Sequence, residues 1–170
     1  MLFRSGAVIS PCGSYRYNLW RCWDADLPMM VWVMLNPSTA DASEDDPTIR
    51  RCIGFAKREG CGGIVVRNVF ALRATDPSEL LNHPNPFGPE NDAYLLDARG
   101  KARSTILVLG WGNRVRDKRL QAYYVRAEAW LTIREPRCFG ITKSGDPRHP
   151  LYLRNDAPMI PWQQPKRSAS

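Results

Sequence analysis

Residues 31–38 read VWVMLNPS, five apolar residues in a row that run straight into Asn36-Pro37-Ser38. An apolar run with no polar alternation is the pattern of a parallel strand covered on both faces. The reading makes Met30 to Leu35 such a strand and leaves its polar end to be explained. Pro37 holds the residue before it in extended backbone, so Asn36 stays at the strand end and cannot drift into a following helix. A lone Asn-Pro often does no more than open a turn.

Working outward, Asp46-Pro47 supplies an N-cap and an N1 proline. Ile49, Cys52, Ile53 and Ala56 follow at helical spacing, so a helix is expected from Pro47 to Glu59, ending at Gly60. Gly62 and Gly63 lead into a β-branched second strand, Ile64 to Phe70. Pro77 and Pro89 each open a helix in a Pro- and Asn-rich connection, the second running to about Arg103. TILVLG (Thr105–Gly110) is a third strand, and residues 117–135 form a long helix with Leu120, Tyr123, Tyr124, Ala127 and Trp130 or Leu131 on one side. CFGIT (Cys138–Thr142) is a fourth strand. Before all of these, GSYRYNLWRCW (13–23) alternates aromatic and basic residues; it reads as an edge strand or hairpin arm rather than as the lining of a channel.

Strands alternating with helices specify an α/β domain, because parallel strands need crossovers and right-handed crossovers stack helices on both faces. The expected architecture is a three-layer α/β/α domain with a central, mostly parallel four-stranded sheet and an N-terminal hairpin or extra strand. A single domain is expected over 1–160, followed by a disordered basic tail at 161–170.

Composition narrows the function. No apolar run approaches the length of a membrane span, and no secretory leader is recognisable, so a cytoplasmic protein without a membrane partner is expected. Five cysteines without C-x-x-C and two histidines argue against a disulfide framework or structural zinc, so neither metal nor cofactor is expected. H-E-x-x-H and G-x-S-x-G are absent. A net charge of +7 suits a nucleic-acid partner without demanding one.

In a parallel sheet all carboxyl ends face one rim, where ligands bind. Here the four strands end on or carry Asn36-Pro37-Ser38, Asn68, Gly110-Trp111-Gly112 and, through a loop, KSGDPRHPLYL (143–153). Asn68 is either a structural amide or a reader of a base edge, since an amide offers a matching donor and acceptor. Trp111 is a wall. His149 lies in a loop, where it can act as a neutral or a charged donor.

These motifs, in this order, resemble those of the uracil-DNA glycosylase superfamily. MLNPS (34–38) is similar to the strand ending Gly-x-Asp/Asn-Pro, VVRNVF (65–70) to the base-reading strand, ILVLGWG (106–112) to the strand ending Trp-Gly, and RHPLYL (148–153) to the His-Pro-Ser-Pro-Leu loop. More locally, YRYNLWRCW, MLNPSTAD, DDPTIRRC, ALRATDP and TKSGDPRHPLYL together resemble a bacterial and phage family known as domain of unknown function 1643, over nearly the whole chain.

The superfamily resemblance implies a glycosylase-like fold and a monomeric DNA glycosylase that hydrolyses the N-glycosidic bond of a flipped pyrimidine. It implies Asn36 and His149 as catalytic residues, Asn68, Leu35, Pro37, Ser38 and Trp111 around the base, and Lys143, Ser144, Arg148, Leu153 and Arg154 on DNA, with Leu153 as the intercalating wedge.

The departures matter. Asn36 stands where the most active members carry an aspartate, so Asp41, Asp45 or Asp46 is a candidate for the missing base, although Asp46 also reads simply as a helix cap. Ser38 stands where those members place a Tyr that blocks a 5-substituent, which leaves room for a thymine-like or larger modified base. Tyr152 replaces the loop's second proline. Two other readings compete: a module that binds modified DNA without cutting it, and an enzyme acting on free nucleotides or nucleosides.

Overall fold

The computed structural model describes residues 4–97, 105–113, 116–132 and 135–165. Seven strands occur in it: β1 (Arg4–Ile9), β2 (Arg16–Cys22), β3 (Met29–Met34), β4 (Gly63–Asn68), β5 (Thr105–Leu109), β6 (Arg137–Cys138) and β7 (Ile160–Pro161). They form one sheet in the order β1-β2-β4-β3-β5-β6-β7. Four helices accompany them: α1 (Pro47–Arg58), α2 (Glu79–Asn82), α3 (Asn91–Asp97) and α4 (Lys118–Leu131).

The α/β class holds, but the mostly parallel four-stranded sheet does not. The sheet is mixed: β3 runs parallel to β4 and β5, and β5 to β6, whereas β1-β2, β2-β4 and β6-β7 are antiparallel. The reason lies at the edges. An uncovered β4 would expose a row of backbone donors and acceptors, and β2 closes it with Leu19 opposite Val66 and Cys22 opposite Gly63. Segment 13–23 is therefore an inner strand, with β1 outside it, and not the edge that its alternation suggested.

Both faces of β3 are buried, which explains its uninterrupted apolar sequence. Val31 and Val33 enter one cluster with Leu95, Leu120, Tyr124 and Leu131, while Met30, Trp32 and Met34 enter the other with Ile49, Cys52, Phe55 and Phe139. Each fully buried large side chain contributes about 1.5–3 kcal/mol. Asp46 starts α1 by accepting from Ile49 N at 2.9 Å, with Pro47 next in the first turn, and the spacing of Ile49, Cys52, Phe55 and Ala56 turns one face to the sheet.

Several boundaries differ from the sequence reading: β4 ends at Asn68 and not at Phe70, and the helix expected over 117–135 is Lys118–Leu131. The fourth strand is only Arg137–Cys138, because Gly140 (φ 153°) bends the chain and Ile141 bridges back to Pro147. The helix expected to reach Arg103 is described over Asn91–Asp97, and residues 98–103 lie outside the described residues. The tail begins later than 161: Pro161 pairs in β7, and Trp162 is buried, with its ring 5.6 Å from Trp111 and its Nε1 donating to Gly145 O at 3.1 Å. Residues 166–170 lie outside the described residues. Among the described residues no helix is long and apolar enough to cross a membrane.

If Trp162 is part of the core, Trp162→Ala lowers unfolding free energy by about 3–5 kcal/mol in urea titrations. A loss under about 1 kcal/mol would mean that the chain after Ile160 is dispensable to the fold.

Candidate functional site

The carboxyl ends of β3, β4 and β5 and the loop at 141–152 surround a cleft of about 820 Å³. Leu35, Asn36, Ser38, Asn68, Trp111, Lys143, Ser144, Arg148 and His149 line it, so nine of the residues singled out in the sequence meet in one place. Pro37, Leu153 and Arg154 do not line it.

Asn36 is fixed by its own amide. Its Nδ2 donates to Pro37 O at 3.0 Å and to Ala74 O at 2.9 Å, and Ala74 N donates back to Pro37 O at 2.9 Å. Two carbonyls can accept only from the nitrogen end of the amide, so this network assigns its orientation and leaves Oδ1 as the atom offered to a ligand. Pro37 is buried beneath this junction and acts as its anchor, not as a wall of the cleft.

Asn68 occupies the last position of β4, opposite Met34. Asn91 Nδ2 donates to both Asn68 O and Val69 O at 3.0 Å, which pins the backbone at that point. The Asn68 side chain is 2 % exposed, yet its Oδ1 has no hydrogen-bond partner. An unsatisfied buried acceptor costs about 1–3 kcal/mol, and here it borders the cleft.

His149 stands at the start of a 3₁₀ turn over Pro150–Tyr152 and accepts at Nδ1 from Leu151 N at 3.3 Å. In the neutral ring the proton therefore sits on Nε2, which becomes a donor. Burial pushes the imidazole below its ordinary pKa, opposed by the Asp46 carboxylate. The Gly-Trp-Gly motif makes this loop's approach possible: Gly112 has φ 72°, and a Cβ there would lie 3.3 Å from His149 Cβ. Trp111, 1 % exposed, is the wall that the sequence suggested, with Nε1 held by Asp146 Oδ1 at 3.4 Å.

Helix α1 holds the same loop from the other side. Arg51 donates from Nε to Pro150 O at 3.2 Å and from its terminal nitrogens to Leu153 O and Asn155 Oδ1. Arg58 donates to Asn155 O and Ala157 O at 2.6 and 2.7 Å. Beside this clamp Leu153 packs half-buried against the α1 side of the core, whereas Leu151 and Tyr152 are 43 % and 74 % exposed. Arg154 does not line the cleft; it is exposed and pairs with Asp156 at 3.0 Å.

Among the candidate acids only Asp46 lines the cleft, while it also caps α1. Asp45 pairs with Arg21 at 2.9 Å, and Asp41 accepts from Ser43 N and Glu44 N at 2.9 Å. The sequence reading missed Arg16. It is 3 % exposed and borders the cleft from β2. Its only signal was its place in an aromatic and basic alternation, which does not distinguish a buried arginine from a solvated one. The described residues hold no cluster of three or more His, Cys, Asp or Glu suited to a metal ion.

The cleft thus offers the amide acceptors of Asn36 and Asn68, a neutral imidazole donor, one carboxylate and one buried guanidinium over an indole wall. Lys143, Ser144 and Arg148 are exposed at its edge.

Because the unfolded chain protonates His149 near pH 6.5 and the folded chain resists protonation to lower pH, burial of the neutral ring stabilises the fold fully above that value. This stabilisation is lost as pH falls through the folded pKa. Nitrogen-detected NMR is expected to show the Nε2–H tautomer at pH 7, and His149→Gln to make stability less dependent on pH below about 6.5. A folded pKa above 6.5 would contradict the burial argument.

A family model described as protein of unknown function (DUF1643) matches residues 16–151, a span that takes in Asn36, Asn68, Trp111 and His149. No curated protein and no solved structure matches the chain.

Proposed function

The chain belongs to the DUF1643 family, and from its cleft we propose that it is a DNA glycosylase-like enzyme that hydrolyses the N-glycosidic bond of a flipped, 5-modified or mismatched pyrimidine. The observation that carries the reading is Asn68 Oδ1, a buried acceptor without a protein partner at the wall of a cleft large enough for a nucleobase. A ring or exocyclic N–H of a base satisfies it; bulk solvent is not needed. The resemblance of the strand-end motifs to the uracil-DNA glycosylase superfamily supports the same reading.

In this mechanism a water held by Asn36 Oδ1 attacks the sugar C1′ as the C1′–N bond breaks. The bonding electrons leave with the base, and His149 Nε2–H donates to the base oxygen on which negative charge gathers. An amide cannot take the water's proton. Asp46 is the carboxylate in the lining that can. Leu151 and Tyr152, in place of Leu153, fill the gap left in the DNA stack. Lys143 and Arg148 contact phosphates, an arrangement supported by the net charge of +7.

One observation favours a second reading, a module that binds modified DNA without cleaving it. The amide of Asn36 is committed through Nδ2 to two carbonyls, and no carboxylate stands at that position.

The deciding assay is base release from single- and double-stranded oligonucleotides carrying uracil, mismatched thymine or 5-modified pyrimidines, read as alkali-sensitive scission. Release is expected, with a drop on the order of 10²-fold or more in Asn36→Ala and in His149→Ala. Salt-sensitive binding without release from any substrate selects the binding module, and binding indifferent to salt argues for a free nucleoside instead.

Ser38→Tyr tests the room for a 5-substituent. It is expected to abolish action on 5-modified bases while sparing uracil, and an unchanged substrate range would remove Ser38 as the gate.

A further inference from the structure

Arg16 is the charged group of the cleft wall to which the proposed hydrolysis gives no task. It begins β2, where its backbone N–H donates to Ala71 O at 2.9 Å, so the side chain issues from a fixed point beneath the 38–46 loop. Its NH1 donates to Ala40 O at 2.8 Å, two residues beyond Ser38. Its Nε is buried and has no partner, and among the described residues no carboxylate lies within ion-pair distance of its guanidinium. Asp46 acts on it through space, but that carboxylate accepts from Ile49 N and Ala40 N. Arg21 and Arg73 add positive charge around it. Burial lowers its pKa to about 10, which still leaves it charged at neutral pH.

A buried cation with an open N–H is costly unless something anionic completes it. Water could satisfy the N–H, but it brings no charge. The planar fork of a guanidinium matches the oxygens of a carboxylate or a phosphate. Ser38 shares the same lining, and its small side chain leaves space on that side of the cleft.

We infer that the ligand of this cleft carries an oxyanion, a carboxylate or phosphate oxygen, that seats on Arg16 beside Ser38. The inference rests on the reading of the cleft as a nucleobase site and extends it to the class of base or nucleotide that is taken. On a pyrimidine the group is an acidic substituent on the edge turned to Ser38; on a nucleotide it is the sugar phosphate.

The test is calorimetric titration of the full chain, at one fixed salt concentration, with uridine, 5-carboxyuridine and uridine 5′-monophosphate. One of the two charged ligands is expected to bind at least about 10-fold more tightly than uridine, the effect of one charge-assisted hydrogen bond. The preference is expected to vanish in Arg16→Met and to persist in part in Arg16→Lys. Preference for 5-carboxyuridine assigns the oxyanion to the base, and preference for the monophosphate assigns it to the sugar.

Uridine bound as tightly as both charged ligands overturns the role of Arg16 and leaves the nucleobase reading standing. A charged-ligand preference that survives in Arg16→Met also overturns it, and points to the exposed basic rim. Binding of none of the three overturns the oxyanion inference, and base release from oligonucleotides decides the nucleobase reading separately. If Arg16→Met fails to fold, the paired variant Lys143→Ala with Arg148→Ala decides: a preference that persists without the exposed rim cations assigns the oxyanion to Arg16, and one that vanishes overturns the inference.

Discussion

Trp32 and Val33 are both fully buried although they point to opposite faces of one strand. Burial of β3 on both sides is the constraint from which the rest follows. Helix α1 must cover one face, and α3 with α4 the other, so the chain has to cross over between successive strands and return them parallel. Parallel strands bring their carboxyl ends to one rim. There the polar residues that end the apolar runs meet, and there the cleft opens.

Hydrogen bonds from side chain to backbone tie the rim together. The Asn36 amide ties the end of β3 to Ala74, the Asn91 amide ties the end of β4, and Arg51 with Arg58 tie the His149 loop to α1. Each tie satisfies carbonyls that a strand or helix end leaves open. The same ties orient the groups left over. Asn68 Oδ1 and Arg16 Nε stay buried without partners, as do Trp32 Nε1, Arg73 Nε and Asn91 Oδ1, but Asn68 and Arg16 border the cleft. Such orphaned atoms beside a cleft have a physical reading as ligand contacts, because an unligated protein gains nothing from burying them.

Local chemistry made much of this legible. The run at 31–35, the Asp46-Pro47 cap and the spacing of Ile49, Cys52 and Ala56 are short-range signals, and the corresponding strand and helix occur where those signals lie. That Asn36, Asn68, Trp111 and His149 gather at one cleft was legible because each interrupts or terminates an apolar strand or sits in a Pro-flanked loop. Leu153 and Arg154 lie outside the cleft lining, and nothing local reveals that α1 draws the chain after Tyr152 onto the core. Arg16 and Trp162 were missed for a related reason: an arginine in an alternating strand and a tryptophan near a basic terminus are buried only because distant elements cover them.

The sequence alone therefore determined the α/β class, the double burial of β3 and the polar residues at the strand ends, because periodicity, caps and proline restrictions act over a few residues. Tertiary structure alone decided that β2 is an inner strand, that the sheet has seven strands, and that Arg16 faces the same cleft as Asn68 and His149. Those outcomes depend on which edges pair and which surfaces meet across the sheet, and contacts between residues far apart in the chain leave no periodic trace in it.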